Sequence, residues 1–140
     1  MIRLVILVCM ISSNLFSQSI IGKWKTIDDE TGKETSVIEV FQKDKKIYGK
    51  IVEIIDSEKR DKLCNLCPNP DKNKPILGLT IIKGLEKEGD EYNDGQILDP
   101  KSGKLYNCYI KLDGKDKLKV RGFIGLSLLG RTQYWYRVKS

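Results

Sequence analysis

Cys64 and Cys67 stand two residues apart in CNLCPNPDKNKP, residues 64–75. That spacing suits three chemistries: a dithiol redox couple, half of a metal site, or a disulfide that closes a tight turn. A redox couple needs its first thiol at a helix N-terminus, where the helix dipole stabilises a thiolate. Pro68, Pro70 and Pro75 leave no room for such a helix, and no βαβ pattern surrounds them. A closed zinc site takes four Cys or His ligands, but downstream of residue 19 the chain offers Cys64, Cys67 and Cys108 and no histidine. We therefore expect no metal, and a Cys64–Cys67 bridge with Cys108 a buried thiol. The sequence leaves open a bridge from either cysteine to Cys108.

Histidine is missing from the whole chain. Its absence removes the commonest general base, the Ser-His and Cys-His nucleophile pairs and imidazole metal ligation. Carboxylates remain. Asp28, Asp29 and Glu30 crowd one turn and would suit a paired-acid site, and Asp99 precedes Pro100 in ILDPKSGKLY. Both clusters also fit ordinary hairpin-turn chemistry, which is the reading taken here. No catalytic residue and no cofactor is nominated, and a non-enzymatic protein is expected.

The elements that must position these groups begin after residue 19. MIRLVILVCMISSNLFSQS opens with Arg3, runs through an apolar block from Leu4 to Ile11 and ends in small polar residues. This is the pattern of a secretory signal peptide, 1–19, with an apolar block too short to span a bilayer. Cys9 follows Val8, where a lipoprotein signal needs a small residue, so it leaves with the leader. The expectation is an exported protein, periplasmic or extracellular, with no integral membrane segment after cleavage and an oxidising surrounding for its disulfide.

Residues 20–140 are enough for one domain with one core. The whole chain carries 25 Lys and Arg against 19 Asp and Glu, a net charge of +6. The charges alternate in sign along KDKK, DSEKRDK, GLEKEGDE and DGKDK, which reads as solvated turns and not as one basic face. Nucleic acid is therefore not expected as a partner.

Apolar residues recur with period two, and no stretch holds helical spacing over ten positions. Strands are expected at 21–27, 35–42, 46–55, 76–83, 94–99, 104–112, 117–124 and 131–139, joined by turns rich in Gly, Asp and Asn. Along 104–112, Tyr106, Cys108, Ile110 and Leu112 share one face and Asn107, Tyr109 and Lys111 the other. Eight sequential antiparallel strands with no covering helix protect their edges best by closing into an all-β, up-and-down barrel, with a sandwich as the alternative. One connector is long, residues 56–75, and it carries the two cysteines.

Gly22-Lys23-Trp24 at the start and Trp135-Tyr136-Arg137 at the end resemble the calycin and lipocalin pattern. That resemblance implies a Trp24 indole plugging one end of the barrel under a late arginine, Arg137 first and Arg131 and Arg121 after it. In order, GKWKTIDDETGKETSVIEV, KKIYGKIVEI, CNLC, KPILGLTIIKGL, GQILDPKSGKLYNCYIKL and LKVRGFIGLSLLGRTQYWYRV resemble a bacterial secreted family known as domain of unknown function 2147. The resemblance implies a small lipocalin-like barrel and brings no activity with it.

The C-terminal block carries the most unusual chemistry. Arg121, Arg131 and Arg137 are interleaved with Phe123, Tyr134, Trp135 and Tyr136. In a solid barrel these would be core residues and face-stacked arginines. In a hollow one, Trp24, Arg121, Phe123, Arg131, Tyr134, Tyr136 and Arg137 would meet a small apolar or amphipathic molecule, with GLSLLG, 125–130, as a mobile lip. The other partner expected is an envelope protein docking on loop 56–75.

Overall fold

The computed structural model describes residues 19–126 and 128–139. Residues 1–18, which the sequence assigns to the leader, lie outside the described residues.

Eight strands form, β1 Gly22–Ile27, β2 Glu34–Lys43, β3 Lys46–Ile54, β4 Thr80–Glu88, β5 Glu91–Asp99, β6 Lys104–Leu112, β7 Lys117–Phe123 and β8 Gly130–Arg137. Each pairs antiparallel with the next, and β8 returns to β1 through Trp24↔Arg137 and Lys25↔Tyr136, closing the barrel. Closure satisfies the two edges that a sandwich would leave open. The barrel expected from the sequence is the fold observed.

Two boundaries differ from the alternation pattern. Ile76–Leu79 reads as strand but is the last part of the long connector, turning at Gly78 with φ +91 and bonding back to Ile51 through Gly78 N–H to O and Ile51 N–H to Leu79 O. In the other direction, β4 and β5 extend through the charged run 86–93, because only Gly89 and Asp90 are needed for the turn. Polar residues there sit on a solvated hairpin, where alternation gives no signal.

The topology sorts the connectors by end. Turns 44–45, 89–90 and 113–116, with the incoming segment 19–21, close one end. Connectors 28–33, 55–79, 100–103 and 124–129 surround the other, which we call the mouth. Trp24, Ile38, Val40, Ile82, Leu85, Ile110 and Leu118 are fully buried inside the barrel toward the closed end.

A second apolar layer lies outside. Ile82 and Ile97 are register partners on the inner face, so the alternating positions Ile81 and Leu98 point outward, yet they are 6% and 1% exposed. The long connector covers them, and its buried Cys64, Cys67 and Leu79 belong to the same apolar cluster. Covering an outward leucine such as Leu98 is worth about 1.5–3 kcal/mol, which fixes the connector to the wall.

Candidate functional site

The closed end is plugged by one interlocked set of groups. Trp24 Nε1 donates to Ile20 O at 2.9 Å, turning the incoming chain across the barrel. The Arg137 guanidinium lies 4.3 Å from the centroid of the Trp24 ring and donates to Ser19 O, Ile21 O and Lys115 O at 2.6, 3.3 and 3.2 Å. A cation over a tryptophan face is attracted by the ring quadrupole, and here each of its three nitrogens also donates to a backbone carbonyl. Trp24 and Arg137 thus close and tie the barrel.

The mouth is built differently. On the inner face near it stand Thr26, Ser36, Ile97, Tyr106 and Gln133, all partly exposed where the residues of the closed end are fully buried. Register explains the grouping: Thr26 pairs with Ser36, Ile97 with Tyr106 and Val120 with Gln133. Gly122 lets Ile97 and Tyr106 pack down onto the β7 backbone, since a Cβ there would meet them at 3.3 and 3.4 Å. Thr26 and Ser36 share a 2.7 Å hydrogen bond between their hydroxyls. The inner face at this end is therefore apolar on one side, at Ile97 and Tyr106, and hydroxylic on the other, at Thr26 and Ser36.

The rim of the mouth carries an arginine. Arg131, on the inward parity of β8, is ion-paired with Asp29 of the β1–β2 turn. Beside it the connector 124–129 holds Leu126 and Leu128 at 77% and 85% exposed, with Ile124 and Leu129 also out in solvent. Exposed apolar groups gathered at a cavity mouth are a feature of ligand and partner sites.

Of the seven residues expected to meet a ligand, the register brings Arg131 to the mouth and Trp24 and Arg137 to the plug. Arg121, Phe123, Tyr134 and Tyr136 have the opposite parity to Leu118, Val120 and Trp135 and stand on the outer wall. There Arg121 donates to Thr132 Oγ1 at 2.8 Å, and Lys117 Nζ sits 4.4 Å over the Tyr134 ring. The sequence reading places Tyr106 on the face of Cys108 without linking it to a ligand, and it does not single out Ile97 or Gln133, although alternation from Trp135 backward points to Gln133.

Cys64 and Cys67 are joined by a disulfide, and Cys108 is a free, buried thiol. Both bridged cysteines are almost wholly buried, so the pair is sealed from an exchanging partner. Burial pushes the Cys108 thiol up to about 12. The bridged loop is anchored by Asp71, which is ion-paired with Lys83 of β4 and, at 3.2 Å, with Lys74. The hydrogen bond from Lys83, then that from Lys74, hold the Asp71 carboxyl below its usual value against the opposing effect of burial.

The acidic turns are occupied by their own geometry. Asp28 accepts from Glu30 N and Thr31 N at 2.8 and 3.0 Å, and Thr31 and then Glu30 hold its carboxyl below the usual range. Asp99 accepts from Lys101 N and Ser102 Oγ, both at 3.0 Å. Among the described residues no group of three or more Cys, Asp or Glu is arranged to hold a metal ion.

No curated protein matches the chain. Among solved structures, protein HP1028 from the human pathogen Helicobacter pylori, described as belonging to the lipocalin family, is similar with a TM-score of 0.77 over 88% of this chain and 85% of that one. At 22% sequence identity the likeness concerns the fold alone. A family model described as an uncharacterized protein conserved in bacteria, domain of unknown function 2147, matches residues 22–137. With the plugged, eight-stranded barrel in place across the matched span, the chain belongs to the family of domain of unknown function 2147.

Proposed function

We propose that the protein is exported and binds one small apolar or amphipathic molecule in the mouth of its barrel. The observation that carries this reading is the difference between the two ends: one is plugged by Trp24 and Arg137, while the inner face at the other stays accessible beneath exposed leucines. A cup with apolar Ile97 and Tyr106 on one side and the hydroxyls of Thr26 and Ser36 on the other suits an amphipathic guest. Arg131 at the rim suits an acidic headgroup. Export is supported by the leader pattern of residues 1–19 and by the disulfide. Native mass spectrometry of protein purified from its host, with displacement of a fluorescent fatty acid, tests the reading. A bound mass and saturable displacement are expected; no bound mass and no displacement would overturn it.

A second reading, an interaction module of the cell envelope, is favoured by the long connector. It is held rigidly on the wall yet presents Leu63, Leu66 and Leu77 to solvent. Leu63→Asp with Leu66→Asp would then abolish co-purification of an envelope protein, and unchanged recovery would reject this reading.

A further inference from the structure

The outer wall carries an open concavity, of about 610 Å³, over β5, β6 and β7. It arises from a break in pairing. β5 and β6 are in register at Tyr92↔Ile110 and again at Gly95↔Cys108, with one extra residue on β5 between them. Asp94 takes up the irregularity with φ +60, a conformation uncommon outside glycine. Such bulges re-aim side chains and bend the strand away from its partner.

The bulge assembles an unusual set of groups. Three carboxamides, Asn93, Gln96 and Asn107, line the concavity with the carboxylates of Glu91 and Asp94. Tyr109 and Phe123 form an aromatic side, their ring centroids 6.3 Å apart and tilted by 52°. Asn93 Nδ2 donates to Glu88 Oε2 at 2.8 Å, which fixes the orientation of the amide. Its Oδ1 is then buried and has no hydrogen-bond partner among the described residues. A buried acceptor without a donor is rare enough to need a reason.

We propose that this outer groove is a binding site for a short neutral oligosaccharide. Sugar hydroxyls donate and accept at once, as carboxamides do, and carboxylates take the remaining donors. The C–H face of a pyranose ring is apolar and suits an aromatic side such as Tyr109 and Phe123. Asn93 Oδ1 itself is closed to solvent, so the sugar hydroxyls meet the exposed Gln96 and Asn107 carboxamides. The site is independent of the mouth, because Asn107, Tyr109 and Phe123 face outward from the strands whose Cys108 and Gly122 face inward.

Titration of the ¹⁵N-labelled protein with chitotriose and with maltotriose, each to about 10 mM so that a millimolar Kd is visible, tests the proposal. Amide shifts confined to 91–96, 107–109 and 123 are expected with at least one sugar. Asn107→Ala and Gln96→Ala, both at exposed positions, should each weaken binding about tenfold, the loss of roughly one polar contact, without changing the spectrum elsewhere. No shift with either sugar, shifts at the mouth alone, or the same groove responding to spermidine but to neither sugar would overturn it.

Discussion

Arg137 lies with its guanidinium 4.3 Å from the centroid of the Trp24 ring, and the two residues are register partners across the β1–β8 seam. The seam is the shortest pairing of the barrel, with two register pairs, so the contact does much to hold it closed. Arg137→Ala removes the cation and leaves Ser19 O and Ile21 O without their donor. We expect a loss of about 2–4 kcal/mol, read by urea unfolding with tryptophan fluorescence. Arg137→Lys should recover less than half of it, since an ammonium lacks the planar fork. A loss below about 0.5 kcal/mol, the scale of an ordinary surface substitution, would show that the seam closes without this contact.

The Asp71–Lys83 ion pair makes loop docking sensitive to acid. The folded Asp71 carboxyl is held below its ordinary 3.8, so its contribution is complete above that value and is lost as pH falls through the lower folded one. Asp71→Asn should therefore destabilise by about 1–3 kcal/mol at neutral pH. The difference between variant and parent should shrink on acidification below about pH 4. Melting temperatures of the two proteins across that range check both the size and the sign. A gap that widens in acid would contradict the assignment.

Gly103 tests the same docking from the other side. It has φ +73, and a Cβ there would run into the backbone of Leu66. Gly114 has φ +83 and nothing within 4 Å of its would-be Cβ. Gly114→Ala should thus show only the backbone penalty of about 1–2 kcal/mol. Gly103→Ala should add about 1–3 kcal/mol of overpacking and lift the loop. Limited trypsin digestion separates the two: new cleavage at Lys59, Arg60, Lys62 or Lys72 is expected for Gly103→Ala alone.

Much of this architecture is legible in the residues, and the gaps have physical causes. Alternation in KLYNCYIKL places Cys108 and Ile110 inside, and Gly22-Lys23-Trp24 with Arg137 marks both sides of the seam. The same alternation in RTQYWYRVK separates Tyr134 and Tyr136 from Trp135, so the outer position of those tyrosines follows from parity. Composition alone had grouped them with the arginines. The bulge at Asn93 and Asp94 is not legible, because positive φ at Asp94 is imposed by the pairing on either side and not by the residue. Nor is the outer layer: Ile81 and Leu98 read as extra core, and only the path of the connector shows what covers them.

The cysteines predict two separable behaviours. Closing a ring of sequence separation 3 removes little unfolded-chain entropy, so Cys64→Ala with Cys67→Ala should lose about 2 kcal/mol and keep the barrel. Cys108, buried and pushed up to about 12, should resist a thiol reagent at pH 8 in the native protein and react on unfolding. A peptide map of the non-reduced protein should place Cys64 and Cys67 in one linked fragment. Cys108 in that fragment would overturn the pairing.

The mouth makes the sharpest prediction, because Arg131 is already engaged. Its guanidinium is paired with Asp29, so an acidic ligand must compete with that carboxylate for the same donors. Asp29→Asn frees the guanidinium and should tighten binding of a fluorescent fatty acid. Arg131→Ala should weaken it by about three- to tenfold, the worth of one exposed charge contact. An alcohol of the same chain length has no charge to offer, so both substitutions should leave its binding nearly unchanged. Tyr134→Ala, on the outer wall, should alter neither probe. If Asp29→Asn weakened the acid instead, the headgroup would be meeting the hydroxyl wall of Thr26 and Ser36 and not the rim, and the orientation of the guest in the cup would have to be reversed.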